Sequence, residues 1–386
     1  MSRVLAVRLR AAAVVALLGL ARVSGAQSAP ACTPSDASHR IEQRLQQLID
    51  SVVRATADVP GVALTVLAPA RCVAWSGAAG VIDRTTHAPL TPVVPHRMAS
   101  NTKTYTAAAI LRLMEERRLS LDDPMTRHLP AEALAPLRRD GYDVDHITLR
   151  HLLTHTAGIY DYAMDERFVY IVTHDPLHRW TRAEQVDSAM VWGQPYGAPG
   201  ALFHYTDTGY ILLGQIVERL TAQPMAAAFR ALLHFEALGL SSTWLETMEP
   251  RPARVPDLVH QYMGEVDTRG IDPSFDLYGG GGLAATTLDM ARFTRALFAG
   301  GVFSRPSTVQ AMITLPTGIV SERVYALGIG RAVVGGHVAW GHTGFWNTFS
   351  RHFPAEDITI AGSVTQQERN ALSRALEQAV MAIVAP

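Results

Sequence analysis

The sequence contains little lysine, little cysteine, almost no net charge and only one long apolar run. The formal charge is −1, and there is neither a basic stripe nor an acidic tail, so we expect no nucleic-acid partner. The apolar run, Ala11 to Leu20, is too short for a transmembrane helix, which needs about 20 residues. Because 48% of the residues are apolar, a sizeable core is expected.

The N-terminal apolar run has the features of a secretory signal peptide. Three arginines precede it, and the small residues of ARVSGA follow it. We predict a signal peptide over residues 1–26, cleaved after Ala26, and a mature domain over residues 27–386. The protein is expected to be exported, either to a periplasm or to the medium, and to have no transmembrane segment after cleavage.

Cys32 and Cys72 are the only cysteines. In an oxidising compartment they are expected to form a disulfide that ties the N-terminal tail to the first sheet, with two separate thiols as the alternative. Neither has a histidine or a second cysteine at metal-ligand spacing, which ranks zinc last. No metal or cofactor is expected, and the protein is expected to be a monomer.

Strand patterns occur near both ends of the chain, and helical patterns fill the middle. The residues from about 110 to 287 are mostly helical patterns interrupted by proline and glycine clusters. The predicted class is α/β (α+β): a mixed, mainly antiparallel sheet from both chain ends, flanked by helices, with a mostly helical inserted region. The predicted terminal elements are helices over 38–57 and 367–384, a hairpin over 62–80, and strands over 337–344, 345–353 and 357–364.

Lys103 is the only lysine among 34 basic residues, and it lies three residues after Ser100 in the stretch SNTK. Apolar residues at helical spacing follow, so Ser100 is placed at or just before a helix N-terminus. One helical turn brings the lysine amine beside the serine hydroxyl. A serine becomes a good nucleophile when a neighbouring base removes its proton, and helix N–H groups stabilise developing negative charge. Taken alone, the alternative is a helix cap followed by a solvated lysine.

Two further groups of residues support the catalytic interpretation. Tyr205 and Asp207 are predicted to lie in a loop immediately before a helix. His342, Thr343 and Gly344 end a predicted strand in the stretch WGHTGFW. The three groups carry a nucleophile, an amine, a phenol and an imidazole.

With these motifs in order, the chain resembles serine hydrolases of the β-lactamase and penicillin-binding-protein type. It is most similar to the branch of class C β-lactamases, D-alanyl-D-alanine carboxypeptidases and related esterases. The likeness covers nearly the whole mature chain, because ITLRHLLTHTAGI (147–159), GGGGLAATTLDMARF (279–293) and YALGIG (325–330) also look like family segments in family order.

The resemblance implies a role for each matching residue. Ser100 would be acylated, and Lys103 would help to take its proton. Tyr205 would act as a base toward Ser100 and then as an acid toward the leaving group. The backbone N–H groups of Ser100 and Phe345 would form the oxyanion hole, in which one donor contributes about 3 to 4 kcal/mol.

The strand motif would form one wall of the site. His342, Thr343 and Gly344 match the family's Lys/His-Thr/Ser-Gly strand, and Thr343 would contact a substrate carboxylate if there is one. Phe345 and Trp346 follow where small residues are commoner in lactamases, which favours an esterase or a peptidase. The alternative is that strand alternation sends one of these rings into the core.

Asp207, like Phe345 and Trp346, departs from the family pattern, because most family members carry Asn at this position. A carboxylate about 4 Å from an ammonium interacts by roughly 4 kcal/mol at an effective dielectric near 20. This interaction favours the charged lysine and disfavours a tyrosinate. The hypothesis is that Lys103 is then a poorer base and instead orients Ser100 and Tyr205 as a cation.

Other patterns are set aside. His151 and His155 have the i, i+4 spacing of a zinc pair, but the acidic residue of a zincin is missing, which favours structural histidines. No Gly-x-Ser-x-Gly occurs, which argues against an α/β-hydrolase. The sequence therefore predicts an exported serine acyl hydrolase acting on a β-lactam, a D-amino-acid peptide or a small ester. The alternative is a catalytically silent receptor or scaffold that binds penicillin or peptidoglycan.

Overall fold

The structure, a computed structural model, describes residues 32–33, 35–319 and 324–386. The predicted signal peptide lies outside the described residues and remains a prediction. The helices are α1 Asp36–Ala55, α2 Thr102–Glu115, α3 Ala131–Arg139, α4 Leu149–Leu153, α5 Glu166–His174, α6 Arg182–Trp192, α7 Asp207–Thr221, α8 Met225–Leu232, α9 Thr287–Phe298, α10 Pro306–Met312 and α11 Asn370–Val384. The strands are β1 Gly61–Ala68, β2 Val73–Gly80, β3 His96–Arg97, β4 Trp244–Leu245, β5 Tyr262–Met263, β6 Val266–Asp267, β7 Leu283–Ala285, β8 Gly330–Val334, β9 His337–Gly344, β10 Thr348–Phe353 and β11 Ile358–Val364.

The main sheet joins the two ends of the chain, as the sequence predicts. Its order is β2-β1-β11-β10-β9-β8, and every neighbouring pair is antiparallel. Val62 in β1 pairs with Ala79 in the hairpin partner β2 and with Val364 in β11. The predicted fold class is confirmed, and its helical inserted region supplies most elements between α2 and β8.

Alternation along β1 explains why helices cover both faces of the sheet. Val66 points into an apolar cluster that contains Leu45 of α1 and Val380 of α11. The adjacent Thr65 points to the other face, where its hydroxyl lies 2.9 Å from the Thr287 hydroxyl at the start of α9. The sheet is therefore a layer between α1 and α11 on one side and α9 on the other.

Two terminal elements begin three residues later than predicted, whereas the bounds of the others agree within two residues. The strand predicted over 345–353 begins at Thr348, because the chain turns first: Asn347 has φ 57° and its N–H donates to the Gly344 carbonyl at 3.0 Å. The helix predicted over 367–384 begins at Asn370. Both differences shorten elements at a turn and leave the topology unchanged.

Helix α2 lies in the interior of the helical region. Residues on all its sides are buried, including Ala107, Ala108 and Ala109 at 0% exposure. A helix that is apolar or small all round belongs in a core. Consequently the residues at its N-terminus, Ser100 among them, are held between the sheet and the helical region.

Both cysteines, Cys32 and Cys72, are disulfide-bonded. Within the part of the chain that the structure describes, no helix has both the length and the apolar composition needed to cross a membrane.

Candidate active site

Ser100 lies in a tight 3₁₀ turn, Ala99–Asn101, that leads directly into α2. The preceding Ala99 has φ 45°, a left-handed conformation that costs a non-glycine residue about 1–3 kcal/mol. The turn is held by Asn101, whose side-chain amide donates to the Thr348 hydroxyl at 3.0 Å on β10. The expected position of Ser100, just before a helix, is what the structure shows.

Lys103 is fully buried, and its ammonium makes three hydrogen bonds. It donates to the Ser100 hydroxyl oxygen at 3.0 Å, to the Gly280 carbonyl at 2.9 Å and to the Asp207 carboxylate. A lysine ammonium has three hydrogens and no acceptor, so these partners use all of them. The surroundings of Lys103 fit a cation that orients Ser100.

Asp207 is the first residue of α7 rather than part of the loop before it. Its backbone N–H donates to the Asp161 carboxylate at 2.9 Å, and Thr206 caps the helix. Its carboxylate fits beside Gly280 because that residue has no side chain: a Cβ there would lie 2.6 Å from Asp207 Oδ1. The four-glycine run thus allows the backbone to approach the Lys103–Asp207 pair.

Two further carboxyl groups lie in this region, and neither belongs to a catalytic motif of the sequence. Asp161 is 3% exposed, and burial, followed by the charge of Asp207, raises its pKa to about 7. The same two causes, in the same order, raise the pKa of Asp276 to about 7. Both are far from Ser100 in the chain and belong to no recognised motif, so the sequence offered no signal for them.

Tyr205 approaches Lys103 from the start of α7. Its ring centroid lies 5.0 Å from the lysine nitrogen. The ring of His155 packs against it at 4.2 Å, and His155 Nδ1 accepts from the Thr206 N–H at 3.1 Å. His155 lies beyond α4 with φ 57°, so it shares no continuous helix with His151 and the i, i+4 zinc geometry does not form.

His342 is held by a second tyrosine. Its Nδ1 lies 2.6 Å from the Thr343 carbonyl, which can only accept, so Nδ1 carries the hydrogen. In the neutral ring Nε2 then accepts from the Tyr325 hydroxyl at 3.0 Å. Tyr325 comes from the YALGIG segment, for which the sequence predicts no catalytic role.

The end of β9 touches the turn that carries Ser100. A Cβ at Gly344 would lie 2.2 Å from the Met98 carbonyl, so this approach requires glycine. The two aromatic residues after Gly344 differ in exposure. Phe345 is 45% exposed and Trp346 is 1% exposed, and their rings pack edge-on with centroids 4.9 Å apart. The Phe345 ring therefore has a solvent-accessible face, whereas the Trp346 ring is buried.

The expected site residues meet in one cleft of about 620 Å³. Lys103 does not line the cleft but is hydrogen-bonded to Ser100, which does. One side of the cleft is a largely apolar wall that includes α5. Residues of the sequence motifs that line the cleft are Ser100, Tyr205, Asp207, His342, Thr343, Gly344 and Phe345. Apolar wall residues include Tyr162, Met164, Phe168, Val169 and Phe275.

The fold and the arrangement of this cleft are those of the β-lactamase and penicillin-binding-protein type. The chain belongs to the beta-lactamase family, because the family model described as Beta-lactamase matches residues 43–385. The resemblance drawn from the motifs is thereby confirmed.

Sequence and structure comparisons agree with this assignment. Esterase EstB of Burkholderia gladioli is 31% identical over 224 residues, which cover 55% of this chain and 54% of that protein. The chain thus spans about half the length of this curated relative. A D-stereospecific amidohydrolase from Streptomyces sp. superposes with a TM-score of 0.71 and 26% identity, covering 86% of this chain and 97% of the other. D-amino acid amidase from Ochrobactrum anthropi SV3, complexed with D-phenylalanine, superposes with a TM-score of 0.76, covering 89% and 99%, and at 21% identity it supports the fold alone.

Replacing Asp207 with Asn is expected to raise the acylation rate near neutral pH by roughly tenfold. The amide keeps an oxygen acceptor for Lys103 but removes the carboxylate charge, so the negative charge that develops on Ser100 and Tyr205 during acylation is repelled less. Stopped-flow acylation across pH measures the effect. The matched control is Asp145→Asn, which changes an exposed carboxylate paired with Arg138. An Asp207→Asn pH profile that matches the wild type would contradict the hypothesis.

Proposed function

We propose that the chain is an exported serine acyl hydrolase that cleaves an ester or amide through an acyl-enzyme at Ser100. The observation that supports this most directly is the 3.0 Å hydrogen bond from the buried Lys103 ammonium to the Ser100 hydroxyl, inside a cleft also lined by Tyr205. No metal or cofactor enters the proposed reaction.

The proposed steps assign one task to each group. Lys103 stabilises negative charge on the Ser100 oxygen and favours the anionic form of Tyr205, whose ring centroid is 5.0 Å away. The Ser100 oxygen attacks the substrate carbonyl carbon, and Tyr205 takes the hydroxyl proton. The N–H groups of Ser100 and Phe345 bind the oxyanion. Tyr205 then returns the proton to the leaving alcohol or amine, and water hydrolyses the acyl-enzyme.

The cleft lining favours esters or amides with an apolar acyl part. The α5 wall and the exposed face of Phe345 provide apolar surface. Among the described lining residues there is no arginine or lysine that would pair with a substrate carboxylate. This favours the ester and amide candidates over a β-lactam or a C-terminal peptide carboxylate, for which Thr343 would have to serve as the contact. The named relatives above 25% identity, an esterase and a D-stereospecific amidohydrolase, support the same choice.

The experiment combines acyl-enzyme detection with turnover. Wild-type protein is mixed rapidly with p-nitrophenyl butyrate, and intact mass and peptide mapping locate the adduct. A burst of nitrophenol equal to the enzyme concentration, a butyryl adduct on Ser100 and continued turnover are expected.

The same protein is then treated with a fluorescent penicillin and a chromogenic cephalosporin. Stable labelling at Ser100 without turnover of the ester or the cephalosporin would support the silent receptor. An ester burst that maps to another residue would overturn the proposal.

A further inference from the structure

The charges around the cleft are unbalanced. Asp207 and Asp276 line it, and no arginine or lysine is found among its described lining residues. Lys103, behind the wall, already uses its three hydrogens on Ser100, Asp207 and Gly280. The cleft therefore presents more negative charge than the nearby cation neutralises.

Asp276 provides the uncompensated carboxylate. It ends the 3₁₀ turn Pro273–Asp276 and sits against bare backbone, because a Cβ on Gly281 would fall 1.7 Å from its Oδ1. The charged groups that face it are Asp207, Lys103, Arg97 and Glu246. Burial, the largest cause, and then the charge of Asp207 raise its pKa to about 7, as expected for a carboxylate that lacks a close counter-ion.

Arg97 does not neutralise Asp276, because its guanidinium is occupied elsewhere. It pairs with Glu246 at 2.8 Å and donates to the carbonyls of Thr268 at 2.9 Å and Ile271 at 3.2 Å. Asp161, behind Asp207, adds a buried carboxyl oxygen, Oδ2, with no hydrogen-bond partner among the described residues. On the acidic side of the cleft, the carboxyl groups therefore outnumber the available cations both in the lining and in the layer behind it.

The surroundings of Asp276 suit an organic cation better than a metal ion. Phe275 and Trp346, which also line the cleft, pack edge-on with ring centroids 5.9 Å apart. In the described part of the chain, no group of three or more His, Cys, Asp and Glu side chains is arranged to hold a metal. Phe275, directly before Asp276, is the ring that offers aromatic surface, whereas Trp346 is 1% exposed and supports the Phe275 ring. Aromatic surface next to a carboxylate matches an ammonium group attached to an apolar body.

We propose that Asp276 forms a subsite for the ammonium group of the substrate, so that the enzyme prefers esters or amides of amino acids whose amino group is free and whose side chain is apolar. This inference rests on the proposed acyl-hydrolase function of the same cleft. It concerns substrate recognition only, and Ser100 chemistry is unchanged by it.

The kinetic test compares phenylalanine p-nitroanilide with its N-acetyl derivative, each as both enantiomers. In the wild type, kcat/KM is expected to favour the free amine. Asp276→Asn should lower that preference, taken as the ratio of kcat/KM for the two substrates, by about ten- to a hundredfold, the loss of one charge-assisted contact. Asp272→Asn is the matched control, because Asp272 caps the same turn outside the cleft and asparagine caps equally well.

A binding test does not depend on turnover. Phenethylammonium, titrated calorimetrically into Ser100→Ala protein, should bind more tightly at about pH 8 than at about pH 6, because the Asp276 carboxylate becomes ionised between them. The pH dependence should disappear when Asp276→Asn is added. 3-Phenylpropanol, a neutral analogue, should bind without pH dependence in both.

The outcomes separate the two proposals. Hydrolysis of the N-acetyl substrate, with a free-amine preference that Asp276→Asn leaves intact, overturns the ammonium subsite but not the hydrolase. Absence of an acyl adduct on Ser100 overturns the hydrolase, and in that case phenethylammonium binding still tests the subsite.

Discussion

Ser100→Ala protein is expected to lose hydrolysis of every substrate by about 10⁴-fold or more in kcat, because no other group in the proposed mechanism can form the acyl-enzyme. The fold should survive. The lost hydroxyl accepts one hydrogen bond from Lys103, and a water in the cleft can replace it. Steady-state assays on p-nitrophenyl butyrate measure the effect, together with intact mass after incubation.

The control is Ser51→Ala, which removes an exposed hydroxyl bonded only to the main chain of its own helix. It should behave as wild type. Residual turnover in Ser100→Ala protein within about tenfold of wild type, or an adduct on another residue, would show that the nucleophile has been misassigned.

Lys103→Met is expected to abolish most activity and also to destabilise the protein by about 3–5 kcal/mol at neutral pH. The thioether fills the space but leaves the Asp207 carboxylate, only 15% exposed, without its cation. Ser100 also loses the charge that stabilises its oxygen. Urea denaturation gives the change in the free energy of unfolding, and an acylation assay gives the loss of rate. The exposed-pair control Arg138→Met, which releases Asp145, should cost about 0–1 kcal/mol.

The stability loss in Lys103→Met should depend on pH. Lys103 lowers the pKa of Asp161 and of Asp276, so its removal raises both further above their unfolded values. Carboxyl groups with raised folded pKa values destabilise the fold when ionised and cease to do so when protonated. The deficit should therefore be largest at about pH 8 and shrink toward about pH 5.

A second substitution distinguishes charge from packing. Lys103→Met/Asp207→Asn should regain most of the stability, because no unpaired buried carboxylate remains at that position, but it should stay inactive. If the double variant is as unstable as the single variant, packing rather than the ion pair is responsible for the loss.

The motif residues could be predicted because their chemistry is encoded over short distances in the chain. Ser100 and Lys103 are three residues apart, and one helical turn brings such residues together whatever surrounds them. His342 to Gly344 end a strand whose predicted bounds, 337–344, match the observed β9. Family order then pointed to Tyr205. The structure places all of these except Lys103 in the lining of the cleft, and Lys103 is hydrogen-bonded to Ser100.

Other residues of the site cannot be predicted from local spacing or motif order. His155 and Asp161 lie in the loop between α4 and α5, Tyr325 precedes β8, and Asp276 ends a 3₁₀ turn. Only tertiary packing brings them beside the motif residues: His155 beside Tyr205, Asp161 beside Asp207, Tyr325 beside His342, and Asp276 near Asp207. The sequence also supports only two interpretations of His155, as one half of a zinc pair or as a structural residue. In the structure its ring supports Tyr205.

By itself, then, the sequence determined the Ser100–Lys103 pair and the sheet built from both chain ends, because helical spacing and strand alternation are local properties of the backbone. Tertiary structure decided the electrostatics. Distances between residues remote in the chain decide whether Asp207 pairs with the Lys103 ammonium and how strongly Asp276 is desolvated. They also decide which side chains face the cleft. Charge interactions and burial act through space, and only the packed structure specifies those distances.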